Sequence, residues 1–187
     1  QLLLVGARLL SYEWESISSR AELRRLGELA RDRERTDPVT GLPNRAALLH
    51  ELTREWELAK RGTVESYLVV CHLRDREALV ERFGDAMANL LLKDVAEVLG
   101  GAVRRTDHLA RVSPEALTTV LVGCKGPAGA HAFLGRFERS LERVTASRPA
   151  SLQLSYGIHP LADSESPEEA LANAELSARA APAKVST

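Results

Sequence analysis

Residues 37–45 read DPVTGLPNR, and this stretch decides how the chain folds. Pro38 disfavours a helical conformation at Asp37, and the following Gly-Leu-Pro-Asn is turn chemistry. Asn44 is a preferred helix cap, and apolar residues recur after it at helical spacing. The stretch therefore predicts that one helix ends, the chain turns and a second helix begins.

The residues before this stretch, 2–35, predict one long helix. They contain no proline and carry an apolar heptad whose middle is weakened by Ser16 and Ser19. The pattern favours a two-stranded coiled coil that makes a homodimer; the alternative is a single amphipathic helix folded back on the domain. We therefore expect a signalling helix at 1–35 and a domain at 36–187.

The residues after the stretch alternate between strand and helix patterns. Short apolar runs predict strands at 67–73, 109–112, 117–122 and 152–158, and helical spacing predicts helices at 75–99, 128–145 and 167–181. A break is expected near Gly84, and Ser166 is the expected cap of the last helix. The order of the elements predicts an α/β domain with a sheet covered by helices.

The composition and charge of the chain limit the partners and the cellular compartment that we expect. The net charge of −1 provides no overall basic field for nucleic acid, so we expect none as a partner. Cys71 and Cys124 lack metal-ligand spacing and are expected to be reduced thiols. Residues 1–10 are apolar but too few to span a bilayer, which takes roughly 20 residues. We expect a cytoplasmic protein, or the cytoplasmic part of a membrane-anchored one.

The stretch DPVTGLPNR resembles the DxLTGLxNR motif of the GGDEF family, the bacterial diguanylate cyclases that join two GTP molecules into cyclic di-GMP. Ser155 followed by Tyr156-Gly157-Ile158 is similar to the S-x-G-I strand of that family. The resemblance covers about residues 34–180. It implies a nucleotidyl-cyclase palm-like sheet flanked by helices, preceded here by the long N-terminal helix.

Residues 110–117 read ARVSPEAL where the resemblance places the RxGGDEF hairpin. Proline fixes φ and removes an N–H, so the tight approach of two glycines is lost. Positions that the family uses for metal, phosphate and guanine also differ; they are His72, Glu77, Val80, Asn89, Ala116 and Ala180. His72 and Glu115 are expected to come close in space and could bind zinc, but the sequence offers no third metal ligand at a matching position. These departures predict that the chain is not an enzyme and holds no metal or cofactor.

Arg104 and Asp107 form an RxxD pattern, and Asp107 lies six residues before Ser113. The resemblance implies that this is the spacing of the family's inhibitory site. The resemblance implies that Arg104 grips phosphate and guanine edges of cyclic di-GMP while Asp107 accepts from guanine N–H groups. The alternative is a surface ion pair at the end of a helix, worth at most about 1 kcal/mol.

The sequence thus predicts a catalytically inactive GGDEF-type regulatory or interaction domain in bacterial signalling. Residues 2–35 would form a homodimer, and the domain would bind a protein partner or a neighbouring domain. The alternative function is a cyclic di-GMP receptor that uses Arg104 and Asp107. A residual nucleotide cyclase is the third and most remote hypothesis.

Overall fold

The computed structural model describes residues 35–74, 76–146 and 152–186. The predicted coiled-coil helix at 2–35 lies almost entirely outside the described residues. In chain order the elements are α1 (Arg45–Lys60), β1 (Tyr67–Leu73), α2 (Arg76–Ala102), β2 (His108–Ser113), β3 (Ala116–Leu121), α3 (Gly126–Thr145), β4 (Leu152–Pro160), a short 3₁₀ helix (Leu161–Asp163), α4 (Pro167–Ala180) and β5 (Lys184–Ser186).

The strands form one five-stranded sheet in the order β2-β3-β1-β4-β5. Every pairing is antiparallel. The central strand β1 is buried along its whole length, as its continuous apolar run predicts. The predicted α/β class with a palm-like sheet flanked by helices is confirmed.

Helices cover both faces of the sheet. One face packs against α2 and α3 through Leu91, Leu99 and Phe137, and the other packs against α1 and α4 through Leu52 and Leu171. Alternate residues of β1 and β3 serve the two cores because side chains alternate across a strand. In the described part of the chain, no helix is long and apolar enough to cross a membrane.

Local signals in the sequence fix three boundaries. The Oδ1 of Asn44 accepts from Ala47 N at 3.0 Å, and the Oγ of Ser166 accepts from Glu169 N at 3.1 Å, so both predicted caps are present. Gly84 has φ +80° inside α2 and interrupts the helix where a break was expected. The predicted end of this helix at residue 99 is three residues short, since α2 continues to Ala102.

Candidate functional site

The RxxD residues form the turn between α2 and β2. The carboxylate of Asp107 accepts from the backbone N–H of Arg104 at 2.8 Å and from that of Val122 at 3.1 Å. One side chain thereby joins the end of α2 to the end of β3. Asp107 shapes the turn that presents Arg104, whose side chain is exposed.

A groove with a volume of about 320 Å³ lies beside this turn, and we call it the RxxD groove. It is lined by Ala102, Arg104, Asp107, Leu121, Val122, Gly123, Cys124, Lys125, Gly129, Ala132, Phe133 and Arg136. Three cationic side chains and one carboxylate thus border an otherwise mainly apolar floor. Such a surface suits an anion that also has a flat apolar part.

Besides Lys125, the sequence interpretation missed Arg136 as a cationic residue of the groove. It comes from α3, where Gly129, Ala132 and Phe133 share its helix face. The guanidinium carbon of Arg136 lies 5.9 Å from the centre of the Phe133 ring, a cation–π distance that helps to hold the side chain. Helical spacing could have shown this shared face, but it could not show that the face meets Arg104.

The simple ion-pair alternative for Arg104 and Asp107 is not what the structure contains. The contact is a backbone N–H to carboxylate bond, and within the described residues no ion pair joins the two side chains. The guanidinium of Arg104 is therefore available to a ligand, while Asp107 already accepts two hydrogen bonds. Each carboxylate oxygen retains further acceptor capacity.

His72 and Glu115 meet at the opposite end of β1. The Nε2 of His72 lies 3.4 Å from the Oε2 of Glu115, and Leu73 N donates to Glu115 O at 2.7 Å. The predicted proximity is therefore present. The imidazole is 90% buried, and its Nδ1 is buried without a hydrogen-bond partner in the described structure.

Burial lowers the pKa of His72 below its ordinary value of 6.5. The charge of Glu115 acts in the opposite direction, while Arg179 and Arg74 add to the lowering. The neutral imidazole is thus the favoured form near neutral pH. It can accept or donate a hydrogen bond and can also ligate a metal.

This pair does not by itself fit a divalent cation held by the protein. It supplies one imidazole and one carboxylate, and among the described residues no cluster of three or more His, Cys, Asp or Glu could hold a metal. Of the other positions singled out near it, Glu77 is exposed, and Val80 and Asn89 are half-buried.

The turn of the hairpin that carries Glu115 is held in place by Arg111. The guanidinium donates to both carboxylate oxygens of Asp37 at 3.0 Å, to Ser113 O at 3.1 Å and to Pro114 O at 3.0 Å. The backbone N–H of Arg111 donates to Pro43 O at 2.9 Å. The two stretches that decided the sequence interpretation are therefore in direct contact.

Comparison with known proteins places these features in context. The model of the diguanylate cyclase GGDEF domain matches residues 34–185. The chain is 28% identical over 155 residues to the diguanylate cyclase DgcP of Pseudomonas aeruginosa, an alignment that covers 78% of this chain and 22% of that protein. It thus spans about a fifth of the length of this curated relative.

Solved structures share the fold. The coiled coil and GGDEF domain of DgcB from Caulobacter crescentus, in complex with c-di-GMP, is 20% identical with a TM-score of 0.75, over 92% of this chain and 93% of that one. The diguanylate cyclase SiaD from Pseudomonas aeruginosa, in complex with its activator SiaC, is 23% identical with a TM-score of 0.70, over 92% of this chain and 67% of that one.

These findings overturn one sequence prediction. The chain was expected not to be an enzyme, and that prediction is wrong, because the matching family model and the relative DgcP are those of diguanylate cyclases. The prediction gave the substituted positions more weight than the pattern shared along residues 34–185. The predicted GGDEF resemblance is confirmed.

Proposed function

The chain belongs to the diguanylate cyclase GGDEF family, and on that premise we propose that its domain works in cyclic di-GMP signalling by binding cyclic di-GMP in the RxxD groove. The observation that carries this proposal is the meeting of Arg104 and Arg136 at one groove from two separate elements. Asp107 also lines the groove and orders the turn that carries Arg104.

The chemistry of the groove matches that of the ligand. A guanidinium donates two parallel hydrogen bonds to a phosphate or to the O6 and N7 edge of guanine. A carboxylate accepts from guanine N–H groups, and such charged hydrogen bonds are stronger than neutral ones. Cyclic di-GMP carries both groups twice, so Arg104, Arg136 and Lys125 offer cations to its phosphates.

Two kinds of relative support the proposal. GGDEF domains of DgcB were solved in complex with c-di-GMP, both with and without the coiled coil. SiaD was solved with a protein activator. We extend both features to this chain as proposals: a cyclic dinucleotide ligand, and a protein partner or neighbouring domain that senses its binding.

The test is calorimetric titration of cyclic di-GMP into matched variants. Arg104→Ala and Arg136→Ala should each weaken binding at least tenfold, because each removes a charged hydrogen-bonding group worth about 1.5–3 kcal/mol. Arg105→Ala is the control, since Arg105 is exposed and does not line the groove. Equal affinity in all three variants would place the ligand elsewhere.

We also propose the division into a signalling helix at 1–35 and a domain at 36–187, with a homodimer formed through residues 2–35. The apolar heptad supports it. In that heptad Leu2, Leu9, Ser16, Leu23 and Ala30 are the a positions that face the partner helix. Leu23→Asp should therefore convert the dimer to a monomer in sedimentation velocity, whereas Arg24→Asp, at the adjacent b position, should not. The ligand chemistry and the family suit a cytoplasmic location, which we propose as well.

A nucleotide cyclase reaction on GTP is the second candidate function, and the family favours it. His72 lies 3.4 Å from Glu115 and stands where the resemblance implies a metal-binding carboxylate. A hard cation such as Mg²⁺ prefers carboxylate oxygen to imidazole. His72→Asp should therefore raise magnesium-dependent conversion of GTP to cyclic di-GMP above that of the wild type. His131→Asp, at an exposed position on α3, is the control. Unchanged or lower conversion in the first variant would argue against this site.

A further inference from the structure

Helix α2 consists of two segments joined at Gly84. The glycine has φ +80° and ψ 163°, so residues 76–83 and 85–102 are separate helical pieces. The first piece is weakly anchored: Leu79 is its one buried apolar side chain, and Val80 and Phe83 are partly buried. The non-helical backbone at Gly84 interrupts the helix, so side-chain contacts must fix the orientation of the two pieces relative to each other.

Arg76 spans the joint. Its Nη2 lies 3.1 Å from the Oδ1 of Asp85 and 3.5 Å from the Oδ1 of Asn89, both on the second piece. The guanidinium therefore reaches from the first residue of α2 across the break. Its side chain is only 20% exposed, although Asp85 is 71% exposed.

The position of Arg76 is unfavourable for a helix on its own. A cation in the first turn opposes the helix dipole, which costs a few tenths of a kcal/mol or more. Its Nε is also buried without a hydrogen-bond partner in the described structure. The contacts of Arg76 with Asp85 and Asn89 offset these two unfavourable terms.

We propose that Arg76 is a clamp that closes residues 76–83 onto the second piece of α2. When Arg76 leaves Asp85 and Asn89, the first piece opens and uncovers Leu79, Val80 and Phe83. The sheet keeps its structure, because the central strand β1 is held by β3 and β4 through its own hydrogen bonds. The first piece lies at the opposite end of α2 from Ala102, which lines the RxxD groove.

Amide hydrogen exchange on the full chain tests the clamp. Exchange of amides 77–83 should be about threefold to fivefold faster in Arg76→Ala, the change expected from losing a partly exposed ion pair. Amides of β1, such as those of Val69 and Val70, should exchange as in the wild type. Arg82→Ala is the control, because Arg82 lies on the same piece but contacts the ring of Phe83 instead.

A second variant leaves the clamp residue in place. Asp85→Asn keeps the size of the partner and removes its charge, so it should also accelerate amides 77–83, by a smaller factor. Unchanged exchange in both variants would overturn the proposal. So would acceleration that extends to β1, or acceleration of the same size in Arg82→Ala.

Discussion

The guanidinium of Arg111 lies 3.0 Å from both carboxylate oxygens of Asp37, which stands 74 residues earlier in the chain. Arg111 is 8% exposed and Asp37 16%, so the pair is largely shielded from water. Thr40 adds hydrogen bonds to Asp37 from its backbone N–H at 2.7 Å and its hydroxyl at 2.8 Å. This contact fixes the turn before α1 against the turn end of the β2–β3 hairpin.

Loss of this contact should destabilise the domain. Arg111→Ala leaves the Asp37 carboxylate largely buried without its cation, a change that typically costs roughly 3–5 kcal/mol in free energy of unfolding. Urea unfolding followed by circular dichroism measures it. Arg105→Ala, which removes an exposed arginine from a nearby turn, should change stability by less than about 0.5 kcal/mol. If the two variants unfold at the same urea concentration, the Arg111 contact does not stabilise the fold.

The buried imidazole of His72 should make stability depend on pH. Burial lowers its pKa in the folded state below 6.5, despite the opposing charge of Glu115. The unfolded chain then binds the proton more readily, so the contribution of His72 to the free energy of unfolding is constant above about pH 6.5 and declines as the pH falls below it. In His72→Gln the decline between pH 6.5 and 5 should be smaller. An unchanged slope would show that His72 is not its source.

Gly157 in β4 should be intolerant of a side chain. A Cβ there would lie 2.2 Å from Ala174 O and 2.5 Å from Ala178 N, both backbone atoms of α4. The helix would have to move, at a cost of roughly 1–3 kcal/mol in free energy of unfolding. Gly135→Ala is the matched control, since its nearest neighbour is Arg139 Nη1 at 3.7 Å and it lies in a helix interior where Ala is preferred. Thermal unfolding of the two variants should therefore shift in opposite directions, and a Gly157→Ala protein as stable as the wild type would contradict the close packing.

The features predicted correctly from sequence are those set by neighbouring residues. Asn44 and Ser166 cap their helices, and Gly84 breaks α2, because each acts through its own backbone or side chain within a few residues. The strand β5 was not predicted. It is three residues long and forms through pairing with Leu152–Leu154, a partner distant in sequence.

The site was predicted in part for the same reason. Arg104 and Asp107 could be found because they share one turn, and Arg136 could not, because its place in the groove depends on how α3 packs beside that turn. The clamp of Arg76 depends on the bend at Gly84, which the sequence indicates only as a break. The prediction that the chain is not an enzyme failed because it relied on substitutions at single positions. The family pattern, which spans residues 34–185, was given less weight.

The most direct test of the central claim is calorimetric titration of cyclic di-GMP into the wild-type protein, with GTP plus magnesium as the control titration. We expect micromolar or tighter binding of cyclic di-GMP that is weakened at least tenfold in Arg104→Ala. Absence of heat with cyclic di-GMP, or binding that persists unchanged in Arg104→Ala, would contradict a dinucleotide site in the RxxD groove.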